Sequence, residues 1–288
     1  MSLSIGIVGL PNVGKSTLFK TLTKKEIAIA NYPFTTVEPN LAVVPVPDKN
    51  LKKLAEIIKP EKVTPAVIEF IDIAGLVKDA HLGKGLGNQF LAKIREVNII
   101  VEVVRVFEDK NVSHSENSID PIRDIEIIET ELKEANISKP IIYVSNIKTG
   151  QSFDLPKNYP GLAISLKDEM EISELNEEEK KELEIKNSGL IDKLIKICYE
   201  TLGLITFYTI KGGQEVRATK IKKETNILDA VEKIHSDFKE KFIKVEVIDC
   251  QQLIKAGGWH QARGKGLIRT EGKEYTVKDG DVIEIKHE

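Results

Sequence analysis

The chain has little cysteine: two residues in 288, Cys198 and Cys250, far apart and without metal-ligand spacing. Neither a disulfide framework nor a thiolate metal centre is expected, and a reducing compartment is the expected setting. No apolar stretch approaches the length of a membrane span, so no membrane partner is expected. No basic region precedes the first apolar run, MSLSIGIVGL, which reads as a first strand rather than a leader; a cytoplasmic protein is expected. Charge of one sign is also lacking. The 42 Lys+Arg stand against 45 Asp+Glu, net −3, which speaks against a polybasic nucleic-acid binder. Residues 203–288 hold 16 basic and 14 acidic side chains, a slight excess that is only a weak sign of an anionic partner. There is no internal repeat and no low-complexity tract. What is present, 41% hydrophobic and 30% charged residues, can bury a core as one large domain or two smaller ones.

Through the first two thirds, β-rich runs alternate with helical patterns. Strands are expected at Leu3–Val8, Val67–Asp72, Ile99–Val106 and Ile141–Ser145, and helices at Ser16–Leu22, Lys49–Ile58, Asn88–Val97, Asp120–Glu134 and Ile191–Leu202. Near-continuous apolar strands separated by helices imply an α/β fold with a mostly parallel sheet covered on both faces. Ligands of such sheets bind at the carboxyl ends of the strands, here the loops 9–14, 73–87 and 146–150. The Glu-rich stretch from Asp168 to Glu184 reads as a solvated helical face or connector. After Gly203 the pattern changes to short strands at 205–210, 216–221, 244–248, 267–270, 274–277 and 282–286, with a helix capped by Asn226 and running to about Lys239. This predicts a second, small α+β domain at 203–288 after a first domain at 1–202.

The run Gly9–Thr17, GLPNVGKST, fits G-x-x-x-x-G-K-[ST] and lies between a strand and a helix, as a P-loop requires. Such a loop wraps a polyphosphate with its own N–H groups, and side chains at the glycine positions would block the approach. Asn12, Val13, Gly14, Lys15, Ser16 and Thr17 are therefore candidate nucleotide contacts. Lys15 would reach the β- and γ-phosphates, and Ser16 would place its hydroxyl on Mg²⁺. Asp72, ending an apolar strand in Asp72-Ile-Ala-Gly75, is a candidate Mg²⁺ ligand, with the Gly75 N–H free to meet the γ-phosphate. Thr35 or Thr36 in the loop 30–40 can complete the Mg²⁺ shell. The residue pattern does not choose between them, and Thr36 stands as the metal candidate. Asn12 is a candidate ligand for a monovalent cation, K⁺. Asn146, Ile147 and Ser165 are candidate contacts on the base side.

Two positions depart from a small GTPase. Leu76 stands where a water-orienting Gln would be, and Leu cannot position water. At 146–149 the chain reads Asn-Ile-Lys-Thr, where guanine binders carry Asn-Lys-x-Asp. Thr149 cannot supply the charged bidentate acceptor for guanine, an interaction of about 1.5–3 kcal/mol.

With these residues in hand, the chain resembles the Obg-related YchF family, the Obg-like ATPases. The likeness runs through GLPNVGKST, NYPFTTVEPN (31–40), DIAGLVKDA (72–80), GLGNQFL (85–91), VVRVFED (103–109), DPIRDIEIIETEL (120–132), VRATKI (216–221), DFKEKFIKVEV (237–247) and EGKEYTVKDGDVI (271–283). It implies an Obg-type G domain followed by a ubiquitin-like TGS domain. It also implies ATP-favouring hydrolysis with Mg²⁺ and association with the ribosome or ribosomal RNA. His114 matches a histidine of the family proposed to act in place of the missing Gln, and is the candidate catalytic partner of Lys15. Two features differ from the family: Thr149 replaces a Glu in Asn-x-x-Glu, and the segment after Leu132 is too short for the family's coiled-coil arm.

Other side chains are less specific. His81 and Lys84, in the loop after Asp72, can approach a γ-phosphate but read first as ordinary loop residues. His235, His260 and His287 read as structural or surface residues. Trp259 and His260 with Arg263 and Lys265 form a modest signal for stacking on RNA. A nucleotide-hydrolysing switch is the first reading. A non-hydrolysing ribosome adaptor and a GTPase of the wider Obg class are the alternatives.

Overall fold

Five consecutive buried residues begin the ordered fold. Ser4–Val8 forms strand β1, and such burial on both faces is the mark of a central parallel strand. The structure is a computed structural model and describes residues 3–25, 40–73, 86–185, 188–235 and 237–287. The chain divides into two compact units, 1–45 with 68–198, and 46–67 with 199–288.

In the first unit β1 leads into helix α1 (Lys15–Thr23) and strand β2 (Leu41–Pro45). After the excursion 46–67, which carries α2 (Lys49–Ile58) and β3 (Lys62–Thr64), come β4 (Val67–Asp72), α3 (Leu86–Glu96) and β5 (Ile99–Arg105). They are followed by α4 (Pro121–Glu134), β6 (Ile141–Asn146), β7 (Gly161–Ile164), α5 (Leu166–Glu174), α6 (Glu177–Glu182) and α7 (Leu190–Thr201). The strand order is β2-β4-β1-β5-β6-β7. β1 pairs in parallel with β4 on one side and β5 on the other, and β6 and β7 continue in parallel beyond β5. All seven residues of β5 are buried. The order reverses at β1, so a crevice for a ligand opens at its carboxyl end. A Cβ on Gly6 would lie 2.6 Å from Ile73 Cδ1, so glycine is the residue that lets the flanking side chains close over β1. The expected parallel sheet is present, with β7 an added edge strand that the sequence pattern missed.

The second unit holds a six-stranded mixed sheet in the order β11-β10-β12-β8-β9-β3. Its strands are β8 (Leu204–Lys211), β9 (Glu215–Lys222), β10 (Phe242–Asp249), β11 (Arg269–Glu271) and β12 (Asp281–His287), with β3 on the edge. Phe207, Ile221, Ile227, Val231, Val245 and Val247 form its core. The division differs from the expected boundary at 202/203 in one respect: α2 and β3 cluster with this unit. Leu51 and Leu54 of α2 are buried, β3 pairs in parallel with β9, and the Tyr208 hydroxyl donates to Asp48 Oδ2 at the α2 N-cap.

Three further expectations change. The helix capped by Asn226 ends at Glu232, as α8 (Ile227–Glu232), and resumes only as α9 (Asp237–Glu240). Between them the backbone tightens, with the Ile234 N–H bonding Val231 and the Phe238 N–H bonding His235, each three residues back. The segment 274–277 is not a strand. It makes one bridge, Thr276 with Asn226, while a Gly272–Tyr275 turn directs it away from the ladder. Residues 250–264, where no element was expected, form α10 (Cys250–Ala256) and α11 (Trp259–Gly264).

Candidate functional site

The loop from Gly9 to Gly14 joins β1 to α1, and its glycines are required by geometry. Gly14 has φ 112°, and a Cβ there would collide with Asn146 Nδ2. Gly9 has φ 151°, and a Cβ would lie 2.5 Å from the Val103 carbonyl oxygen. Gly14 caps α1 without any side-chain bond. The first intrahelical bond of α1 runs from the Leu18 N–H to the Gly14 carbonyl. The N–H groups at the start of the helix therefore point outward with the positive end of the dipole, a ready site for phosphate oxygens.

Lys15 folds over this loop. Its Nζ donates to the Gly9 carbonyl at 3.0 Å and to the Leu10 carbonyl at 2.7 Å. Burial lowers its pKa, and the negative charge of Asp72 opposes that. Asp72, half-buried at the end of β4, has its pKa raised by burial and held down by Lys15 and then Lys93. The charge of each thus favours the charged form of the other. Ser16 is exposed beside Lys15. Among the described residues no cluster of three or more His, Cys, Asp or Glu could hold a metal by itself. Mg²⁺ bound with substrate phosphates needs no such cage, since one or two protein oxygens suffice. The hard oxygen donors of Ser16 and Asp72 fit that demand.

A cavity of about 790 Å³ opens here, lined by Asn12, Gly14, Lys15, Ser16 and Thr17, by residues 107–112, by residues 146–149, and by Ser165 and Lys167. Four loops at the carboxyl ends of β1, β5, β6 and β7 build it. Of the candidate contacts, Asn12, Gly14, Lys15, Ser16, Thr17, Asn146, Ile147 and Ser165 are brought together on its wall. Val13 is buried beneath it, 1% exposed. Thr36 and Gly75 lie outside the described residues, as do Thr35, Leu76, His81 and Lys84.

Two buried side chains hold these loops in register. Asn146 Nδ2 donates to the Val13 carbonyl at 2.9 Å, and its Oδ1 accepts from the Leu166 N–H at 3.2 Å. One amide thus ties the loop after β1 to the start of α5. Arg105, 2% exposed at the end of β5, has no counterpart among the sequence candidates. Its guanidinium donates to the carbonyls of Phe107, Asp109, Val112 and Ser113, and lies 4.5 Å from the centre of the Phe107 ring. The 107–113 wall of the cavity is thus wrapped around one cation. The Asn12 amide donates to Ser113 Oγ at 3.2 Å, which leaves only Asn12 Oδ1 to face a cation.

His114, the candidate catalytic partner of Lys15, is buried away from the cavity. Its side chain is 5% exposed, and it is absent from the cavity wall. Nε2 lies 2.8 Å from Asp124 Oδ2, and Nδ1 accepts from the Glu116 N–H at 3.1 Å. That acceptance places the ring proton on Nε2, where it is donated to Asp124. Arg123 binds the other oxygen of Asp124. In the second unit, Trp259 is half-buried, while His260, Arg263 and Lys265 are exposed, with Arg263 bound to Glu246 at 2.6 Å.

Comparison with known proteins agrees with this geometry. Residues 4–147 match a family described as 50S ribosome-binding GTPase, and residues 204–288 match YchF-GTPase_C, described as a protein of unknown function (DUF933). The Ribosome-binding ATPase YchF of Bacillus subtilis is 38% identical, covering 99% of both chains. That of Escherichia coli O157:H7 is 36% identical over 98% of both. A solved structure, the Schizosaccharomyces pombe YchF GTPase, superposes with a TM-score of 0.82 at 31% identity, covering 99% of this chain and 98% of that one. The B. subtilis alignment runs over 365 positions against 288 residues here, so that relative carries sequence with no equivalent in this chain. In this structure α4 ends at Glu134 and β6 begins at Ile141.

Proposed function

The chain belongs to the YchF family, and from that premise we propose that it is a Mg²⁺-dependent, ATP-favouring nucleotide hydrolase that acts as a ribosome-associated switch. The observation that carries this reading is the Gly9–Gly14 loop with Lys15 folded over it, opening on the cavity with Ser16 and Thr17 on its wall. A triphosphate would meet the N–H groups at the start of α1, and its oxygens would draw Lys15 Nζ off the carbonyls of Gly9 and Leu10. Ser16 and Asp72 would hold Mg²⁺, with Thr36 as the third proposed ligand. The ion supplies neutralisation of charge on the phosphates when bound. Ile147 and Ser165 would border the base. Gly75 is proposed to offer its N–H to the γ-phosphate.

His114 is the proposed water-placing residue, and for that its ring must leave Asp124. Its replacement by Ala then lowers kcat with little change in nucleotide Kd. Asn12 Oδ1 is proposed as a K⁺ ligand, tested by comparing turnover in K⁺ and Na⁺. The unit ending the chain is proposed to be of TGS type, supported by its mixed sheet sharing a core with Ile227, Ala230 and Val231 of α8. Ribosome binding, carried by the names of the relatives, is proposed for this chain on the strength of a family likeness over its full length.

The test is multiple-turnover phosphate release from ATP and GTP, with Lys15→Ala and Asp72→Ala, beside co-sedimentation with ribosomes in each nucleotide state. Hydrolysis lost in both variants, and ribosome association that changes with the γ-phosphate, support the reading. Turnover retained in Lys15→Ala overturns it. Nucleotide binding without turnover in the wild type favours the adaptor reading. GTP bound at least about tenfold tighter than ATP, about 1.4 kcal/mol, favours a GTPase.

A further inference from the structure

The base end of the cavity contains an arrangement that the motif at 146–149 does not announce. Thr149 stands where guanine binders carry a carboxylate, and it lines the cavity. Its Oγ1 donates to Asp168 Oδ1 at 2.6 Å, 19 positions further along the chain. A hydroxyl has one proton, so Thr149 presents only lone pairs to any ligand while this bond holds. A carboxylate therefore stands beside position 149, just behind the cavity wall, delivered from the first turn of α5.

We propose that Asp168, positioned by Thr149, selects the base by accepting a hydrogen bond from the exocyclic 6-amino group of a purine nucleotide. The inference deepens the nucleotide-hydrolase reading and rests on it. Three observations carry it. Asp168 follows directly on Lys167, and both Lys167 and Ser165 line the cavity. The Asp168 backbone is fixed, since its N–H bonds Ser165 Oγ at the α5 N-cap, and the carboxylate is held by Thr149. The side chain is only partly buried, so oxygen lone pairs remain open to a ligand. A carboxylate offers about four acceptor sites, and Thr149 uses one of them. Guanine presents two adjacent donors, which suit a carboxylate with both oxygens free. Adenine presents one exocyclic amino group, which suits a carboxylate whose Oδ1 is already engaged.

Asp168 also occupies the third position of α5, where an acid is favourable beside the helix dipole whatever nucleotide binds. That role does not distinguish one base from another, and this difference defines the test. Equilibrium titrations of the full chain would use Mg·ATP, Mg·GTP and the Mg complex of purine riboside triphosphate, which is ATP without its 6-amino group. Wild type is expected to bind ATP about tenfold tighter than the deamino analogue. Asp168→Ala brings that ratio close to one and leaves the affinity for the analogue within about twofold. Asp168→Asn, which keeps a side-chain carbonyl and the shape of the turn, retains part of the preference, and Thr149→Val reduces it. An unchanged ratio in Asp168→Ala overturns the proposal. So does an equal loss for both nucleotides, which is the signature of a helix-end role. A change confined to GTP also overturns it, because the carboxylate would then read guanine. If wild type binds no nucleotide at all, the hydrolase reading fails together with this one. Binding with no 6-amino preference defeats base selection alone.

Discussion

Asn146 and Val13 are separated by 133 positions and joined by one buried hydrogen bond of 2.9 Å. The same amide accepts from Leu166 N–H, so the phosphate loop, the end of β6 and the start of α5 share a single fastening. Asn146→Ala strands the Val13 carbonyl and the Leu166 N–H in a buried place, at about 1–3 kcal/mol each before relaxation. We expect a drop of at least about 2 kcal/mol in unfolding free energy by urea titration, and at least tenfold weaker nucleotide binding. Unchanged affinity would show that the loops hold their places without it.

The glycines of the phosphate loop lead to a sharper expectation. Gly14→Ala forces a side chain into φ 112° and pushes Asn146 aside. The backbone cost alone is about 1–3 kcal/mol. Loss of nucleotide binding, seen by calorimetry, should exceed the loss of stability, because both the strained loop and the displaced Asn146 line the cavity. Equal losses would mean that the loop does not serve the ligand.

Arg105 gathers four carbonyls around a buried cation. Lysine has the charge but not the planar fork, so Arg105→Lys is not conservative here. We expect it to cost about 2–4 kcal/mol and to loosen the 107–113 wall. Hydrogen exchange of that segment should rise by more than the rest of the first unit. Uniform exchange across the unit would contradict a local role.

Glu102, 1% exposed in β5, has no hydrogen-bond partner for Oε2 among the described residues. Burial raises its pKa, and the nearby Glu129 and Asp124 raise it further. The folded chain therefore keeps a proton that the unfolded chain loses above about pH 4.3. Stability falls as pH rises from there towards the folded pKa, because the unfolded state binds fewer protons. Glu102→Gln removes that slope. Its Tm should gain on wild type as pH increases from about 5 to 8, and the two should converge in acid. A pH-independent difference would show that Glu102 titrates alike in both states.

How much was legible in the sequence depended on how local each cause is. The P-loop was legible because its glycines, lysine and serine act within nine residues of chain. The parallel strands were legible because burial on both faces writes a continuous apolar run. Arg105 was not, since its four acceptors come together only once the 107–113 loop wraps it. Asp168 was read as part of a solvated acidic face, because the partner that gives it meaning is Thr149, 19 residues earlier. The helix Lys49–Ile58 was legible at its observed bounds, but its packing with the second unit was not, because periodicity reports a buried face and not what covers it. The helix α10 had a readable signal that went unused: Asp249 as N-cap, Cys250, Leu253 and Ala256 at helical spacing, and Gly257 with φ 90° closing it.

The loan of residues 46–67 to the second unit has a practical meaning. A fragment cut at Gly203 would lack β3 and α2, leaving β9 with an open hydrogen-bonding edge and the surface that Leu51 and Leu54 cover without its lid. Exposed edges of that kind recruit other chains. The two units are therefore not interchangeable cassettes: the chain crosses between them three times, and neither can be lifted out, traded or inherited as one uninterrupted stretch of sequence.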